Sequence, residues 1–306
     1  PATRTLHDVE STNDKNPTFH GSGEAGDIVT IYDGNMVIGS TTVGSNGTWT
    51  FTPGTALGDG SHTITTTLTD KAGNVSLPSP GLSFTVDTVA PTTPTTAPTA
   101  TDNVEPNTGT INNGDSTNDT TPTFSGSAVA GTPGHSTPDP PPPQSGKGTD
   151  GDIIIIYDGD TAIGSTTVEG GTWTFTPGTA LGDGSHTITT TVTDKAGNES
   201  GHSPGLIITV DTVAPTNDVA PTATDDAEPV TGAITAGGST NDTTPTLGGS
   251  GEAGNIVIIY DGEIVIGSTT VGSDGTWTFT PTTPLGEGEH SLSTTLTDKA
   301  GNTSDR

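Results

Sequence analysis

Cysteine is absent from the 306 residues, which removes disulfides, thiolate metal sites and cysteine nucleophiles together. Basic side chains are scarce: 7 Lys+Arg stand against 36 Asp+Glu, for a formal charge of −29. That imbalance repels nucleic acid and anionic membranes, and it attracts cations. Aromatic residues are few, while the chain carries 44 Gly and 24 Pro. By composition alone such a chain reads as an acidic, unfolded linker. Long apolar runs are missing as well. The longest, Ile153–Tyr157, is far too short to span a bilayer. No signal-peptide pattern is legible at Pro1, consistent with a leader already removed or an internal piece of a longer chain.

What is present is repetition, and it overrides the disorder reading. Tyr32, Tyr157 and Tyr260 each open a Tyr-Asp-Gly turn, at separations of 125 and 103. Trp49, Trp173 and Trp277 each sit in Gly-Thr-Trp-Thr-Phe-Thr-Pro, at separations of 124 and 104. Random polar tracts do not place Trp, Phe and Ile at fixed offsets. The period is therefore near 104, and the middle copy carries an insert, Gly131–Asp150, found in neither neighbour. Three domains follow: residues 1–90, residues 91–214 with the insert 131–150, and residues 215–306. A Pro-rich connector flanked by Asp pairs recurs between them.

Within each copy the signals are strands and turns, with no helical period. The second copy reads as strands at Thr108–Asn112, Thr121–Ser127, Asp152–Asp158, Ala162–Val168, Thr172–Thr176, His186–Asp194 and Leu206–Asp211. Seven short runs separated by Asp-Gly, Gly-Gly and Gly-Asn turns predict an all-β fold, a sandwich of about seven strands per domain. Alternation assigns Trp173 and Phe175 to one face and Thr172, Thr174 and Thr176 to the other. Thr30, Ile155 and Ile258 are equivalent, so that slot tolerates a polar residue and faces out. Val29 and Ile31, Ile154 and Ile156, and Val257 and Ile259 then face the core. The first copy is expected to begin with a strand at Arg4–His7. The third stops before any counterpart of Leu206–Asp211, which predicts an open sheet edge, through truncation or because a neighbouring chain supplies the strand.

Three motifs invite chemistry and do not hold up. Gly21–Gly26 and Gly249–Gly254 match a dinucleotide-binding glycine pattern, but a strand follows where a helix N-terminus is required. Asp183, Ser185 and His186 lie too close along one strand to form a relay. The His of each Leu-Gly-Asp/Glu-Gly-x-His frame (His62, His186, His290) is expected to hydrogen-bond turn backbone. The insert, with Pro140–Pro143 in polyproline conformation, is either a projecting recognition loop or a tolerated disordered insertion.

The acidic residues fall in a pattern. They crowd the ends of copies at Asp87, Asp102 and Glu105, then at Asp211, Asp225, Asp226 and Glu228. The Thr-Asp-Lys-Ala-Gly-Asn turns (Asp70, Asp194) and the Ser-Thr-Asn-Asp turns (Asp119, Asp242) are expected near sandwich ends too. Ca2+ takes six to eight oxygens in irregular geometry, which loops meeting at a joint can supply. Ordinary Asp turns and caps on an acidic linker are the plain alternative. Unpaired carboxylates converging on a joint would repel without a cation.

Taken as a set, Ser-Thr-Asn-Asp, Tyr-Asp-Gly, Ile-Gly-Ser-Thr-Thr-Val, Thr-Trp-Thr-Phe-Thr-Pro, Thr-Asp-Lys-Ala-Gly-Asn and Val-Asp-Thr-Val-Ala-Pro resemble the bacterial Ig-like tandem repeats of giant surface adhesins, the Bap-like and type I-secreted biofilm adhesins. The resemblance spans all three copies and excludes the insert. It implies three tandem immunoglobulin-like sandwiches on short acidic linkers, forming a non-enzymatic stalk exported to the cell surface. It implies Ca2+ at the junctions, matched here by Asp87, Asp102, Asp211, Asp225 and Asp226. The implied partners are neighbouring repeats, with self-association or host ligands handled by other domains, and with no nucleic acid or membrane insertion. A glycan- or host-protein-binding module acting through exposed loops or the insert is the alternative function. A third reading makes the repeats spacers in a secreted enzyme.

Overall fold

In a computed structural model the described residues are 5, 7–127 and 150–306. They form twenty-three β-strands and no helix. Of the expected strand at Arg4–His7, Arg4 and Leu6 lie outside the described residues and Thr5 and His7 are not in a strand; nearly all of the insert, 131–149, also lies outside the described residues. In repeat 1 one sheet has the order β1 (Glu10–Thr12), β7 (Leu82–Val86), β6 (Gly60–Thr69), β3 (Ile28–Asp33), β4 (Met36–Thr42). Against it lies the pair β2 (Phe19–Ser22) and β5 (Thr48–Phe51). β1 runs parallel to β7 and the other pairings are antiparallel.

Repeat 2 copies this plan with β10 (Ser116–Thr117), β16 (Leu206–Val210), β15 (Gly184–Thr193), β12 (Ile153–Asp158) and β13 (Thr161–Thr167). Its second sheet is β14 (Thr172–Phe175), β11 (Thr123–Ser127), β8 (Thr99–Asp102), β9 (Gly109–Ile111). Repeat 3 has β18 (Gly232–Ile234), β17 (Thr222–Asp225), β19 (Thr246–Ser250) and β22 (Thr276–Phe279) facing β21 (Ile264–Thr270), β20 (Ile256–Asp261) and β23 (Leu292–Thr297). Two of these strands correct the sequence reading. Thr99–Asp102 and Thr222–Asp225, taken as linker, are strands that join the sheet of the repeat that follows. Each pairs with the next strand in its repeat, Asp102 opposite Gly109 and Asp225 opposite Gly232. The free linker is correspondingly shorter.

The chain divides into two compact units. One comprises Pro1–Pro98, Ser125–Phe175 and Thr189–Gly205, and the other Thr99–Phe124, Thr176–Ile188 and Leu206–Arg306. The division passes through repeat 2, whose β11 and β15 contribute to both. The joint between repeats 1 and 2 falls whole inside the first unit, and the joint between repeats 2 and 3 inside the second.

The faces follow the alternation. Val29, Ile31, Ile154, Ile156, Val257 and Ile259 are buried, and the slot of Thr30, Ile155 and Ile258 is half-buried. Each buried side chain of this size stabilises the sandwich by about 1.5–3 kcal/mol. The Trp is buried in every copy. A Cβ on the facing glycine would sit 2.6 Å from the ring of Trp49 at Gly21, 2.8 Å from Trp173 at Gly126 and 2.7 Å from Trp277 at Gly249. Gly21 and Gly249, which open the apparent dinucleotide motif, are thus strand residues that make room for an indole. Gly26 and Gly254, which close it, sit at φ +93° in turns whose N–H groups bond Val43 O and Val271 O.

β23 spans six residues where β6 and β15 span ten. The first five residues of those longer strands pair with β7 and β16. β23 is the described edge of its sheet, as expected, and Leu285 is half-buried where Leu57 and Leu181 are buried.

Candidate functional site at the joints

Each Thr-Asp-Lys-Ala-Gly-Asn turn is closed by its own Asp. Asp194 Oδ1 accepts from the N–H groups of Gly197 and Asn198, and its Oδ2 accepts from the Asn198 amide at 2.9 Å. Asp298 does the same with Gly301 and Asn302. Asp70 accepts from the N–H groups of Ala72 and Asn74 and from the Asn74 amide. The Asn74 amide, then the backbone N–H groups, hold the Asp70 carboxyl below its ordinary pKa. The carboxylates of Asp70 and Asp194 are therefore occupied by their own turns.

The turn of one repeat docks on the end of the repeat before it. At the first joint, Asn198 donates its amide to the carbonyl of Asp87 at 2.9 Å. Asn13 donates its backbone N–H to Ala196 O at 3.1 Å and its amide to Gly197 O at 3.0 Å. At the second joint, Asn302 donates to Asp211 O at 2.8 Å, and Asn118 donates its N–H to Ala300 O at 3.2 Å. Asn107 adds an amide contact to Lys299 O at 3.4 Å. Asp87 and Asp211 thus meet the joint through their backbone carbonyls. Their carboxylates accept from Val89 N–H and Val213 N–H two residues on.

Beside the second joint lies a buried knot. Thr117 Oγ1 donates to Asp102 Oδ2 at 2.5 Å and accepts the N–H of Asp119. Asp102 Oδ1 accepts from Val104 N–H, and Asp119 accepts from Asn103 and Thr121. Repeat 3 builds the same knot from Thr240, Asp225 and Asp242, with Asp226 N–H on Asp242 Oδ2. Asp102, Asp119, Asp225 and Asp242 are all buried. Among the described residues no Lys, Arg or His pairs with them. Glu105, Asp226 and Glu228 are exposed.

The fit for a hard cation can be judged from these atoms. Both oxygens of Asp102 and Asp225 and the Oδ2 atoms of Asp119 and Asp242 retain a lone pair, whereas Oδ1 of Asp119 and of Asp242 accepts twice, from the N–H and hydroxyl of Thr121 and Thr244. Asn118, whose amide nitrogen holds Glu105 O at 3.2 Å, leaves its Oδ1 buried without a partner. A partnerless buried amide oxygen next in sequence to a buried carboxylate that no basic side chain pairs is a donor type that suits calcium. Among the described residues, however, no three His, Cys, Asp or Glu side chains gather as a metal cage. The eleven acidic residues singled out in the sequence therefore divide: two cap turns, two offer carbonyls to the joint, four form knots and three face solvent.

The histidines of the recurring frame bond turn backbone as expected, through Nε2 to the carbonyls of Gly58, Gly182 and Gly286. Sequence reasoning missed the second partner. Nδ1 of His62 lies 2.6 Å from Asp33 Oδ2, and Nδ1 of His290 lies 2.6 Å from Asp261 Oδ2. These Asp residues belong to the Tyr-Asp-Gly turns, so the signal was a repeated Asp at constant distance from a repeated His. With acceptors on both ring nitrogens, the Gly286 carbonyl first and Asp261 next, the pKa of His290 is raised above 6.5. Asp183, once a relay suspect, accepts from the Thr212 hydroxyl at 2.9 Å and its N–H at 3.1 Å.

The bacterial Ig-like domain family matches residues 5–88, 131–212 and 216–306. The chain belongs to that family. Its members here are three tandem immunoglobulin-like sandwiches. Among solved structures, it is similar to a Ca2+-stabilized adhesin with which an Antarctic bacterium binds ice, at 20% identity over 97% of this chain and 69% of that one, TM-score 0.38. It is also similar to a tetra-tandem repeat from the extending region of a large adhesion protein, at 20% identity over 96% and 71%, TM-score 0.27. Fibronectin(III)-like modules of Clostridium thermocellum CbhA match at 16% identity over 67% and 90%, TM-score 0.37. No curated protein matches the sequence.

Proposed function

We infer that this chain is a stalk segment of a bacterial cell-surface adhesin. In this reading its Ig-like repeats act mechanically, outside the cell and without catalysis, as extenders locked at their joints. One observation carries the reading: the two joints are made from the same residue types in the same bonds. The Asn amide reaches the preceding Asp carbonyl at 2.9 and 2.8 Å, and the preceding Asn N–H reaches an Ala carbonyl at 3.1 and 3.2 Å. An extender needs joints of one geometry, because each independent hinge adds its own freedom to the array. Neighbouring repeats are then the partners, and ligand binding for adhesion and biofilm formation belongs to other domains.

Calcium is part of the same reading. Asp102, Asp119 and Asn118 Oδ1 would hold an ion beside the second joint, and Asp225 with Asp242 would hold one in repeat 3. The ion would cancel buried negative charge and stiffen the loop that carries the joint. Asp87, Asp211 and the turn carboxylates Asp70 and Asp194 are secondary candidates, reached through oxygens left over from their hydrogen bonds. Glu105, Asp226 and Glu228 would contribute from the surface.

The test is small-angle scattering and thermal unfolding of the chain in millimolar calcium and in chelator. Calcium should raise the melting temperature and lengthen the maximum dimension. Replacing Asp119 with Asn should remove most of the difference. Identical curves with and without the ion would remove calcium from the mechanism. Free hinging of the repeats in both conditions would remove the stalk itself.

A further inference from the structure

The turn between β4 and β5 in repeat 1 and the turn between β21 and β22 in repeat 3 differ in the residue before their second glycine, Asn46 in one and Asp274 in the other. Their frames coincide. Gly44 N–H reaches Thr48 O at 2.8 Å, and Gly272 N–H reaches Thr276 O at 2.7 Å. Gly47 and Gly275 both sit at φ +77°, and their carbonyls accept from Gly23 N–H and Gly251 N–H at 3.0 and 3.1 Å. Asn46 Oδ1 and Asp274 Oδ1 each accept from the N–H two residues on, at 3.1 Å. Asp274 has one bond more, from the Thr276 hydroxyl to Oδ2 at 2.9 Å. Repeat 3 thus shows that this turn holds an aspartate without changing shape.

Asn46 is also placed to become one. It is exposed, and among the described residues its Nδ2 has no partner. The following residue is glycine, whose missing Cβ leaves the backbone nitrogen unhindered and the turn free to adjust. Thr48 N–H, on Asn46 Oδ1, stands where negative charge develops when that nitrogen attacks Cγ. One bond opposes the attack, from Gly47 N–H to Gly44 O at 2.9 Å. The chain's other Asn-Gly pair, Asn113–Gly114, is held harder. Ile207 in β16 donates its N–H to Asn113 Oδ1 at 2.8 Å and accepts Gly114 N–H at 2.7 Å, so two bonds to another strand must break there.

We propose that Asn46 is a self-modifying site, which loses ammonia to its own backbone and takes up water to become Asp. Gly47 nitrogen gives its proton to solvent and bonds to Cγ, and the Cγ–Nδ2 bond breaks to release ammonia. One water then opens the cyclic imide. Opening at Cγ leaves Asp in the unchanged backbone, which gives repeat 1 the turn of repeat 3 and one more negative charge. Opening at the main-chain carbonyl instead routes the backbone through Cγ and lengthens it by one carbon. The bonds of Gly44 N–H and Gly47 O then cannot both persist, so this second product loosens the turn leading into Trp49.

The test follows the peptides bearing Asn46 and Asn113 by mass spectrometry, with the full chain incubated in heavy-oxygen water either folded or in urea. In urea the two pairs should convert at like rates. In the folded chain Asn46 should convert about tenfold faster than Asn113, the ratio that one additional hydrogen bond to be broken gives. Each conversion should exchange the amide nitrogen for one labelled oxygen, and the rate should rise with pH because Gly47 N–H must lose its proton. Asn46→Asp should melt with the unmodified chain. An Asn46 that stays an amide in the folded chain, over the time in which it converts in urea, overturns the proposal. A folded rate no faster than that of Asn113 also overturns it. A lower melting temperature for Asn46→Asp overturns the equivalence of the two turns.

Discussion

The turns Asp70–Asn74 and Asp298–Asn302 are spelled alike, Asp-Lys-Ala-Gly-Asn, and both close on the Asp carboxylate through the N–H and amide of the Asn, with Ala72 N–H as the further donor in one and Gly301 N–H in the other. One is exposed and the other lies under the preceding repeat, with Ala300 at 1% exposure. The turn is therefore a finished structure before it meets a neighbour. Docking adds burial of a methyl group and bonds from Asn118 and to Asp211, and the bonds of the Asn to its own Asp are the same in both turns. This is how an array can be extended one repeat at a time without refolding its members.

The largest test of that contrast places a charge in both turns. Ala300→Glu buries a carboxylate beside the carbonyls of the joint and should cost about 3 kcal/mol or open the joint. Ala72→Glu should stay within about 0.5 kcal/mol, being a surface change. Thermal unfolding with limited proteolysis of the linker reads both, and equal effects would break the comparison.

A smaller effect is expected from the amides. Asn302→Ala loses the bond to Asp298 and the bond to Asp211 O, whereas Asn74→Ala loses the bond to Asp70. The difference should be about 1 kcal/mol, one net hydrogen bond, seen as faster amide exchange in the second joint. The effect of Asn198→Ala should follow Asn302→Ala.

The smallest effect concerns pH. The raised pKa of His290 means that its bonds to Gly286 O and Asp261 contribute fully below 6.5, and that this contribution is lost as pH rises through the raised value. The pair is partly exposed, so solvent screens it. The melting temperature of the intact chain should fall slightly across that window, and His290→Gln should flatten the slope. A steeper slope in the variant would contradict the assignment.

Much of this was legible in the sequence because it is local or periodic. The burial of Ile154 and Ile156 with Ile155 turned outward came from comparing three copies at one slot. The backbone bonds of the histidines came from their frame. The strands Thr99–Asp102 and Thr222–Asp225 were hidden because Pro and Asp around them read as linker, and because one of the two partners of each, Thr123–Ser127 or Thr246–Ser250, lies further along the chain. The carboxylates presented a related difficulty. Proximity to a joint was visible, but an Asp two residues before a free N–H satisfies itself locally, and that consumes much of what a ligand would need.

By itself the sequence determined the three-fold repetition, the inward and outward faces of each strand, and the closed form of every Asp-Lys-Ala-Gly-Asn turn. All of these are set by bonds or alternations within a few residues. The tertiary structure alone decided which copies of that turn are covered, that Asp33 and Asp261 meet a histidine, and that Asp87 and Asp211 serve through their carbonyls. Those contacts join residues 29 to 111 positions apart. Identical local spelling cannot distinguish them, because what differs is the neighbour that the rest of the fold brings into place.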